Sequence, residues 1–447
     1  MEEYIKLLLE QIRCKKAHPY IKEEIEGHIE EQIAENIRFG MSKEEAEKVA
    51  VEDMGSPVEV GISLDRIHKP QIAWGLILLM AVISIAGIIL QIVIETQTGV
   101  HEINSMNYAI NVIKGFIIML IVYRMDYSVI ARYSKIIAIF LFGMCVFSFF
   151  YGVEINGAIC YVKLGSIEIS LFSIMMLYVP VYGAVIYKYY GLGYKGFFKS
   201  LLWLIFPVVM AYRLTNISLA FILLLSMSVV LTTAISLEWF CIAKRKTILG
   251  LWGSIWGLPL LFLGIVWKAN MLASYQIQRI QVFFSGSDGQ NYINNIHSIL
   301  RSNWHNSQFL GSNGKDLKYM FEIGDSYLLS HVLSVYGQVA AIMISGVLIF
   351  LILQIFLLSF QQKNQVGMCM GCGCGMVLLL NIILNIGINV GWIPLSRSFL
   401  PFFSSGENNI IACYVLVGII LSIHRYKNIY PAKISTKLKT VKLRIQL

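Results

Sequence analysis

Apolar runs long enough to cross a bilayer recur along this chain, and they limit its possible folds more than any other feature. A membrane-spanning helix needs about 20 predominantly apolar residues. Such runs fall at 72–95, 108–123, 134–151, 167–187, 198–212, 215–235, 249–268, 328–358, 368–392 and 408–424. Hydrophobic residues make up 57% of the chain and charged residues 14%, unlike a soluble protein. The sequence therefore predicts an all-α polytopic membrane protein with about ten transmembrane helices.

The charges between these runs predict how the chain crosses the membrane. Lysines and arginines, such as Arg124, Lys188 and Lys244, follow the second, fourth and sixth runs, and the tail after Arg425 is basic. Because short cytoplasmic loops are enriched in Lys and Arg, both termini are predicted to be cytoplasmic. The long loop at 269–327 is then extracellular, and the protein is expected in the plasma membrane.

The first 70 residues are predicted to form a small soluble helical domain in the cytoplasm. Isoleucines recur every four residues from Ile21 to Ile37, and Ser42 with Glu45 forms a capping box. The segment resembles the helical prefix modules of the HAAS type that precede many Firmicutes permeases, which points to a Gram-positive bacterium. The expected domains are this prefix at 1–70, a ten-span membrane domain at 71–427 and a basic cytoplasmic tail at 428–447.

Net charge differs in sign between the prefix and the remainder. Residues 1–69 hold 16 acidic and 10 basic residues, a net charge of −6, whereas the remainder carries +15. The acidic prefix is therefore expected to rest on the basic inner loops, and the basic excess favours anionic membrane lipid. The chain has no nucleic-acid motif, so no nucleic-acid partner is predicted. Cys369, Cys372 and Cys374 have no second ligand pair nearby, so no metal site is predicted.

Near the carboxyl terminus, glycines, prolines and amides interrupt the apolar pattern. The first part runs from Asn385 through Gly387 and Gly391 to Pro394, and the second from Leu400 to Gly406. In lipid, irregular backbone is tolerated only where protein or a water-filled cavity satisfies its polar groups. The spacing alone favours a kinked span followed by a tight outer loop. A segment that lines a cavity is the alternative.

The order of these residues resembles the SEDS family, the cell-wall polymerases of the RodA, FtsW and SpoVE type. The family joins its last two spans by N-x-G-x-x-x-G-x-x-P and then L-P-F-x-S-x-G-G, and this chain departs only at Glu407, in place of the second glycine. Asp126-Tyr127 and the stretch from Asn156 to Gly165 also match family motifs. The resemblance covers about residues 108–425 and implies a fold of SEDS type.

Several positions that are charged in the family are neutral here. Ser173 and Met176 stand where the family has glutamate and lysine, three residues apart on one helix. Because the glutamate and the lysine are replaced together, neither leaves a buried charge without a partner of opposite sign. The family's proposed catalytic aspartate lies about eleven residues before a glycine. Counting from Gly337, Asp325 is displaced from that position by one residue, so it is either the catalytic carboxylate or an N-cap residue, and both roles are compatible.

The resemblance implies polymerisation of lipid II into glycan strands at the outer membrane face. Asp325 is the candidate general base. The candidate substrate-binding residues are Tyr161, Arg279, Lys315, Lys318, Asn385, Pro394, Arg397, Pro401, Ser404 and Gly406. No cofactor is required, although a divalent cation could offset the leaving diphosphate. The family partner is a class B penicillin-binding protein, a transpeptidase. The alternative function is a catalytically weak SEDS-like protein that binds lipid-linked precursor or a partner.

Overall fold

Helices dominate the part of the chain that the computed structural model describes, which is residues 1–98, 104–155, 158–165, 167–214, 217–268, 299–305, 307–310, 325–393 and 398–432. The first four helices are α1 (Glu2–Glu10), α2 (His18–Arg38), α3 (Lys43–Asp53) and α4 (Pro57–Ile67). The longer helices before residue 270 are α5 (Trp74–Thr98), α6 (Ser105–Arg124), α7 (Tyr127–Tyr151), α8 (Leu171–Tyr187), α9 (Gly193–Arg213), α10 (Ile217–Ser236) and α11 (Lys244–Lys268). A 3₁₀ turn (Asp325–Tyr327) then leads into α12 (Leu328–Tyr336), α13 (Gln338–Phe360), α14 (Gln365–Asn389) and α15 (Glu407–Arg425).

The apolar helices confirm the predicted class of an all-α polytopic membrane protein. Within the described residues, eight helices are long and apolar enough to cross a membrane, namely α5, α6, α7, α9, α10, α13, α14 and α15. The shorter α8 is also apolar, and α11 covers the predicted run at 249–268. The exact number of spans stays a prediction. Most of the predicted outer loop at 269–327 lies outside the described residues.

One predicted span is broken in the structure. Residues 328–358 form α12 and part of α13, separated by Gly337 with φ 85°. Glycine adopts this left-handed conformation without steric cost, so the chain changes direction there. The Gly337 N–H still donates to the Leu333 carbonyl at 3.1 Å. Because apolar residues continue on both sides of the break, hydrophobicity alone did not reveal it.

A small antiparallel sheet replaces the start of another predicted span. Its strands, in order, are β1 (Gly152–Ile155), β2 (Ala158–Leu164) and β3 (Ile167–Ser170). The prediction of helix from residue 167 is therefore wrong for four residues. Ile167 and Ile169 alternate with polar residues, the pattern of a strand. Ser170 ends the strand and caps α8, because its side chain accepts from the Ser173 N–H at 3.5 Å.

Helices α6 and α15 run in the same direction and approach each other closely. A Cβ atom added at Gly115 on α6 would lie 2.3 Å from the Tyr414 ring, and one at Gly418 on α15 would lie 2.9 Å from the Met119 carbonyl. Small residues allow membrane helices to pack at such short distances. The two glycines therefore fix the spacing of this helix pair.

We expect Gly115→Ala to destabilise the protein, since its methyl group would force α6 and α15 apart. Overpacking of this kind costs about 1–3 kcal/mol. Gly143→Ala on α7 is the matched control: its added Cβ meets no described atom within 4 Å, and alanine favours helix by about 1 kcal/mol. Thermal unfolding in detergent should show a lower midpoint for Gly115→Ala only. Equal midpoints for the two variants would contradict close packing at Gly115.

The prefix helices contact the long helices through the turn between α1 and α2. The Lys16 ammonium donates to Asp126 at 2.8 Å and to the Tyr426 hydroxyl at 3.2 Å. Asp126 also accepts from the Tyr430 hydroxyl and, at 2.9 Å, from the Ser128 N–H. We call these groups the Lys16 junction and this end of the bundle the prefix end.

The polarity of the Lys16 junction is the reverse of the one expected from net charge. The prefix supplies the cation and the long helices supply the anion, and Asp126 has only 8% of its side chain exposed. Burial alone would raise the pKa of Asp126, but hydrogen bonds from Lys16, Tyr430 and Ser128 outweigh it and lower the pKa. Asp126 is therefore ionised at neutral pH. The contact combines this ion pair with packing of the Tyr20 ring of α2 against the Tyr430 ring at 5.6 Å, and does not follow the overall charge of the prefix.

Candidate functional site

Three asparagines line one face of α14 inside the helix bundle. Asn381, Asn385 and Asn389 are spaced four residues apart and are each at most 1% exposed. In a helix, residues four apart lie on the same face. A buried amide in a membrane protein needs hydrogen-bond partners, because unpaired polar groups are costly there. The partners of these side chains therefore reveal what this face of α14 holds in place.

Asn385 and Asn389 both hold the 3₁₀ turn that begins with Asp325. Their side-chain amides donate to the same Ser326 carbonyl, at 3.1 Å from Asn385 and 2.9 Å from Asn389. The Asn389 side-chain oxygen accepts from the Ser330 N–H at 2.9 Å, in the first turn of α12. The backbone that carries Asp325 is thus fixed to α14 on both sides of Tyr327.

The same turn is tied to the segment between α14 and α15. The Ser326 hydroxyl donates to the Ser398 carbonyl at 2.7 Å, and the Asn385 amide donates to the Ser398 hydroxyl at 3.1 Å. We call these four residues, Ser326, Asn385, Asn389 and Ser398, the amide network, and its end of the bundle the motif end. The network brings together three parts of the chain that are distant in sequence.

The irregular segment 398–406 is buried among helices. The Phe402 carbonyl accepts from the Tyr108 hydroxyl, and the Phe403 carbonyl accepts from the Gln91 side chain at 2.8 Å. Phe402 has φ 68°, and Ser404 turns back to accept from the Leu400 N–H at 2.8 Å. Polar groups of α5 and α6 therefore satisfy this broken backbone, as the membrane requires. The segment differs from the tight outer loop that its spacing favoured.

The first turn of α15 carries charged and amide side chains towards α6 and α8. Glu407 forms an ion pair with Lys114 of α6 at 3.2 Å, and both side chains are 52% exposed. Asn409 accepts from the Ser173 hydroxyl at 2.8 Å, and the Asn408 amide donates to the Glu168 carbonyl at 3.0 Å. Lys114 thus gives Glu407 a partner at this end of the bundle.

A comparison with protein-family models decides the family. Residues 70–429 match the model of the FtsW, RodA and SpoVE cell cycle proteins. The chain belongs to this family. The match covers every helix from α5 to α15 and excludes the prefix, so the prefix is an addition to the family's common region.

Curated relatives and solved structures agree with this assignment. A Wigglesworthia glossinidia brevipalpis protein, described as "Probable peptidoglycan glycosyltransferase FtsW", is 24% identical over 77% of this chain and 91% of its own length. A chain of a peptidoglycan synthase complex superposes with a TM-score of 0.66 at 18% identity, covering 79% of this chain and 98% of that one. Thermus thermophilus RodA gives a TM-score of 0.57 at 16% identity, covering 80% and 97%. At these identities the two structures show a shared fold.

The described residues of the motif from Asn385 to Gly406 come together at the motif end, whereas the motif residue Asp126 lies at the prefix end. Asn385 belongs to the amide network, Pro401 and Ser404 lie in the buried segment, and Gly406 precedes α15. Tyr161 lies in β2 opposite Ser170, away from the network in the chain but beside the start of α8. The predicted residues outside the described part of the chain are Arg279, Lys315, Lys318, Pro394 and Arg397. The proposed roles of all these residues stay predictions.

Sequence reasoning missed several groups that build this site. Ser326, Asn389 and Ser398 complete the amide network, and Gln91 and Tyr108 satisfy the buried segment. One signal was present, because Asn381, Asn385 and Asn389 repeat at helical spacing within an apolar run. The partners of Gln91 and Tyr108 lie about 300 residues away in the chain, so no local pattern could have identified them.

The described residues offer hydrogen-bonding groups rather than a cluster of metal ligands at this end. No group of three or more His, Cys, Asp or Glu side chains able to hold a metal ion occurs among them. The amide network is neutral, and the first turn of α15 adds the Lys114–Glu407 ion pair at this end. The arrangement can orient a polar ligand and fix the backbone of Asp325.

Proposed function

We propose that this multi-pass membrane protein is a peptidoglycan glycosyltransferase that polymerises lipid II at the outer face of the plasma membrane. Its family membership and the descriptions of its curated relatives support this activity. Cell elongation, division and sporulation are the processes that such polymers serve. The motif end would then be the outer end of the bundle.

The observation that carries the proposal is the double hydrogen bond to the Ser326 carbonyl. Asn385 and Asn389 together fix the turn that Asp325 begins, beside the buried segment 398–406. A general base must be held within hydrogen-bond reach of the proton that it accepts, so a fixed backbone at this position favours catalysis. The family motifs around this turn therefore serve to position it.

The proposed reaction forms one glycosidic bond and releases one lipid diphosphate. Asp325 accepts the proton of an acceptor sugar hydroxyl as the oxygen attacks the anomeric carbon of the lipid-linked donor. The bond from that carbon to the diphosphate oxygen breaks, and the diphosphate leaves with the electron pair. Cations such as Arg279, Lys315, Lys318 and Arg397, or a divalent cation, would offset its charge. Tyr161, Pro394, Pro401, Ser404 and Gly406 would line the substrate site.

A second candidate function is binding of lipid-linked precursor, or regulation of a partner, with weak catalysis. Ser173 and Met176 occupy positions that resemble a glutamate and a lysine of the family, and Ser173 donates to Asn409 instead of forming an ion pair. Removal of two charges from the site favours this alternative. Binding of lipid II without polymerisation would identify it.

We propose that the prefix end faces the cytoplasm and that both termini lie there. The basic loops after α6, α8 and α10 support this orientation. The proposed domains are the cytoplasmic prefix at 1–70, the membrane domain at 71–427 and the basic tail at 428–447. A class B penicillin-binding protein is the proposed partner, because a solved structural neighbour belongs to a peptidoglycan synthase complex. The prefix's likeness to Firmicutes modules supports a Gram-positive source.

Purified full-length protein tests the activity directly. Incubation with lipid II, with and without the transpeptidase, should yield glycan strands that a muramidase digests. Lipid II binding measured in parallel separates the two candidate functions. Binding without strands in both mixtures would reject the polymerase and favour the alternative.

The prefix is proposed to act as a control module seated by the Lys16 junction. We expect Lys16→Met to weaken the contact between the prefix and the long helices, since it leaves the buried Asp126 carboxylate without its cation. Amide hydrogen exchange should become about five-fold faster in the α1–α2 turn and at Asp126–Ser128. This corresponds to a loss of about 1 kcal/mol in the local free energy of opening. Lys15→Met, an exposed neighbour, should change neither region. Unchanged exchange in Lys16→Met would show that other contacts seat the prefix.

A further inference from the structure

Two lysine ammonium groups lie over one tyrosine ring at the prefix end, and a third lysine precedes that tyrosine in the chain. The Lys135 ammonium lies 4.6 Å from the centre of the Tyr189 ring, and the Lys199 ammonium lies 5.8 Å from the same centre. Lys188 precedes Tyr189 and donates to the Arg132 carbonyl at 2.6 Å. We call Lys135, Lys188, Tyr189 and Lys199 the Tyr189 cluster. Its members come from α7, the α8–α9 connection and α9.

Two of these lysines lie within helices, and their side chains extend towards the prefix end. Lys135 lies eight residues into α7 and Lys199 six residues into α9, which is about 12 Å and 9 Å along the helix axes. Helical side chains point towards the helix amino terminus, and both of these termini lie at the prefix end. Long basic side chains extend in this way to the membrane surface. The cluster is therefore placed at the level of lipid headgroups.

The cluster concentrates positive charge without a carboxylate. No acidic side chain pairs with Lys135, Lys188 or Lys199 in the described ranges, whereas Lys16 and Lys244 at the same end pair with Asp126 and Glu238 at 2.8 Å. Burial, followed by the charge of Lys135, lowers the pKa of Lys188. Lys135 and Lys188 thus repel each other. An anion between them would relieve this repulsion.

The tyrosine at the centre is held in place and has a hydrogen to donate. Tyr189 is 8% exposed, and its hydroxyl accepts from the Trp203 indole N–H at 2.8 Å. Its own hydroxyl hydrogen has no acceptor among the described residues. Ammonium and hydroxyl donors around one point are the groups that bind phosphate oxygens. The site is built before any ligand arrives.

We propose that the Tyr189 cluster binds the phosphate group of an anionic membrane lipid at the prefix end. The site is separate from the motif end and does not depend on the glycosyltransferase activity. A lipid headgroup and free phosphate share the chemistry that the cluster recognises. The position of the lysines at headgroup level favours the lipid, because its acyl chains would lie along the apolar surfaces of α7 and α9, which expose Ile136 and Phe198.

Full-length protein in nanodiscs of phosphatidylcholine with added phosphatidylglycerol tests the proposal. Native mass spectrometry should show phosphatidylglycerol retained by the wild type. The double variant Lys135→Gln and Lys199→Gln should lower that affinity at least ten-fold. Lys195→Gln removes an exposed lysine of the same helix and should retain wild-type binding. The double substitution to arginine should also bind, since it preserves both charges.

The controls separate the possible ligands and a folding defect. Size-exclusion profiles and unfolding midpoints must match the wild type before the glutamine variant is scored, and single glutamine variants replace it if they do not. Inorganic phosphate at millimolar concentration is tested as a competitor. If it displaces the lipid from the wild type and does not bind the glutamine variant, the ligand is soluble phosphate and the lipid assignment is overturned. Equal phosphatidylglycerol affinity in wild type and folded glutamine variants would overturn the site.

Discussion

Asp325→Asn is expected to abolish lipid II polymerisation while leaving the folded protein in the membrane. The substitution removes the group that accepts the proton but keeps a side chain of nearly the same shape and size. General-base catalysis contributes about 10²- to 10⁴-fold, so the initial rate of strand formation should fall by at least about 100-fold. The rate is measured with purified protein, lipid II and gel analysis of the strands.

Two comparisons make this result specific. The N-cap residue of α12 is Tyr327, so the capping role predicted for Asp325 is wrong, and Asp325→Ala should be as inactive as Asp325→Asn without unfolding earlier. Glu168→Gln removes another carboxylate, which pairs with Lys163 at 2.8 Å in the sheet, and should polymerise normally. Full activity of Asp325→Asn would exclude its role as the general base.

Asn389→Leu is expected to lower both stability and activity, because it removes the Asn389 hydrogen bonds that hold the 3₁₀ turn and the start of α12 against α14. The Ser330 N–H loses its acceptor in a buried site, and the Ser326 carbonyl loses one of its two donors. An unsatisfied buried group costs about 1–3 kcal/mol. Polymerisation should decrease more than ten-fold, since displacement of Asp325 adds to the loss of stability. Unfolding midpoints and initial rates measure the two effects.

The matched control lies two turns earlier on the same face of α14. Asn381 donates within its own helix, to the Val377 carbonyl at 2.8 Å, and across to the Met176 sulfur of α8 at 4.0 Å, but not to the 3₁₀ turn. Its buried side-chain oxygen has no partner among the described residues. Asn381→Leu should therefore equal or exceed the wild type in stability and polymerise at the normal rate. Similar losses in both variants would mean that the amide network has no special role at the site.

The fold class could be predicted from sequence because it depends on local composition. Apolar runs and the Ser42–Glu45 capping box are both properties of neighbouring residues, and the structure contains the corresponding helices and cap. The break at Gly337 and the strand before Ser170 were missed because a hydrophobic average is insensitive to the backbone angle of one residue. The order of the family motifs supplied the family assignment.

The site was only partly predictable because it depends on contacts across the chain. The motif indicated Asn385, Ser404 and Gly406, but nothing in it indicated that Asn385 and Asn389 share one carbonyl. The polarity of the ion pair between the prefix and the loop after α6 was mispredicted for the same reason. Net charge describes a whole segment, whereas the contact is formed by Lys16 and one buried aspartate.

The Lys16 junction implies an order of events during synthesis of the chain. Lys16 and Asp126 leave the ribosome early, but Tyr430, which also hydrogen-bonds to Asp126, is made 304 residues after that aspartate, and Tyr426 is made 410 residues after Lys16. The Phe402 carbonyl likewise reaches its donor, Tyr108, only after about 290 further residues have been added. In a nascent chain the Lys16 junction therefore stays incomplete until α15 has been made, so the complete junction forms only after the described helices of the bundle.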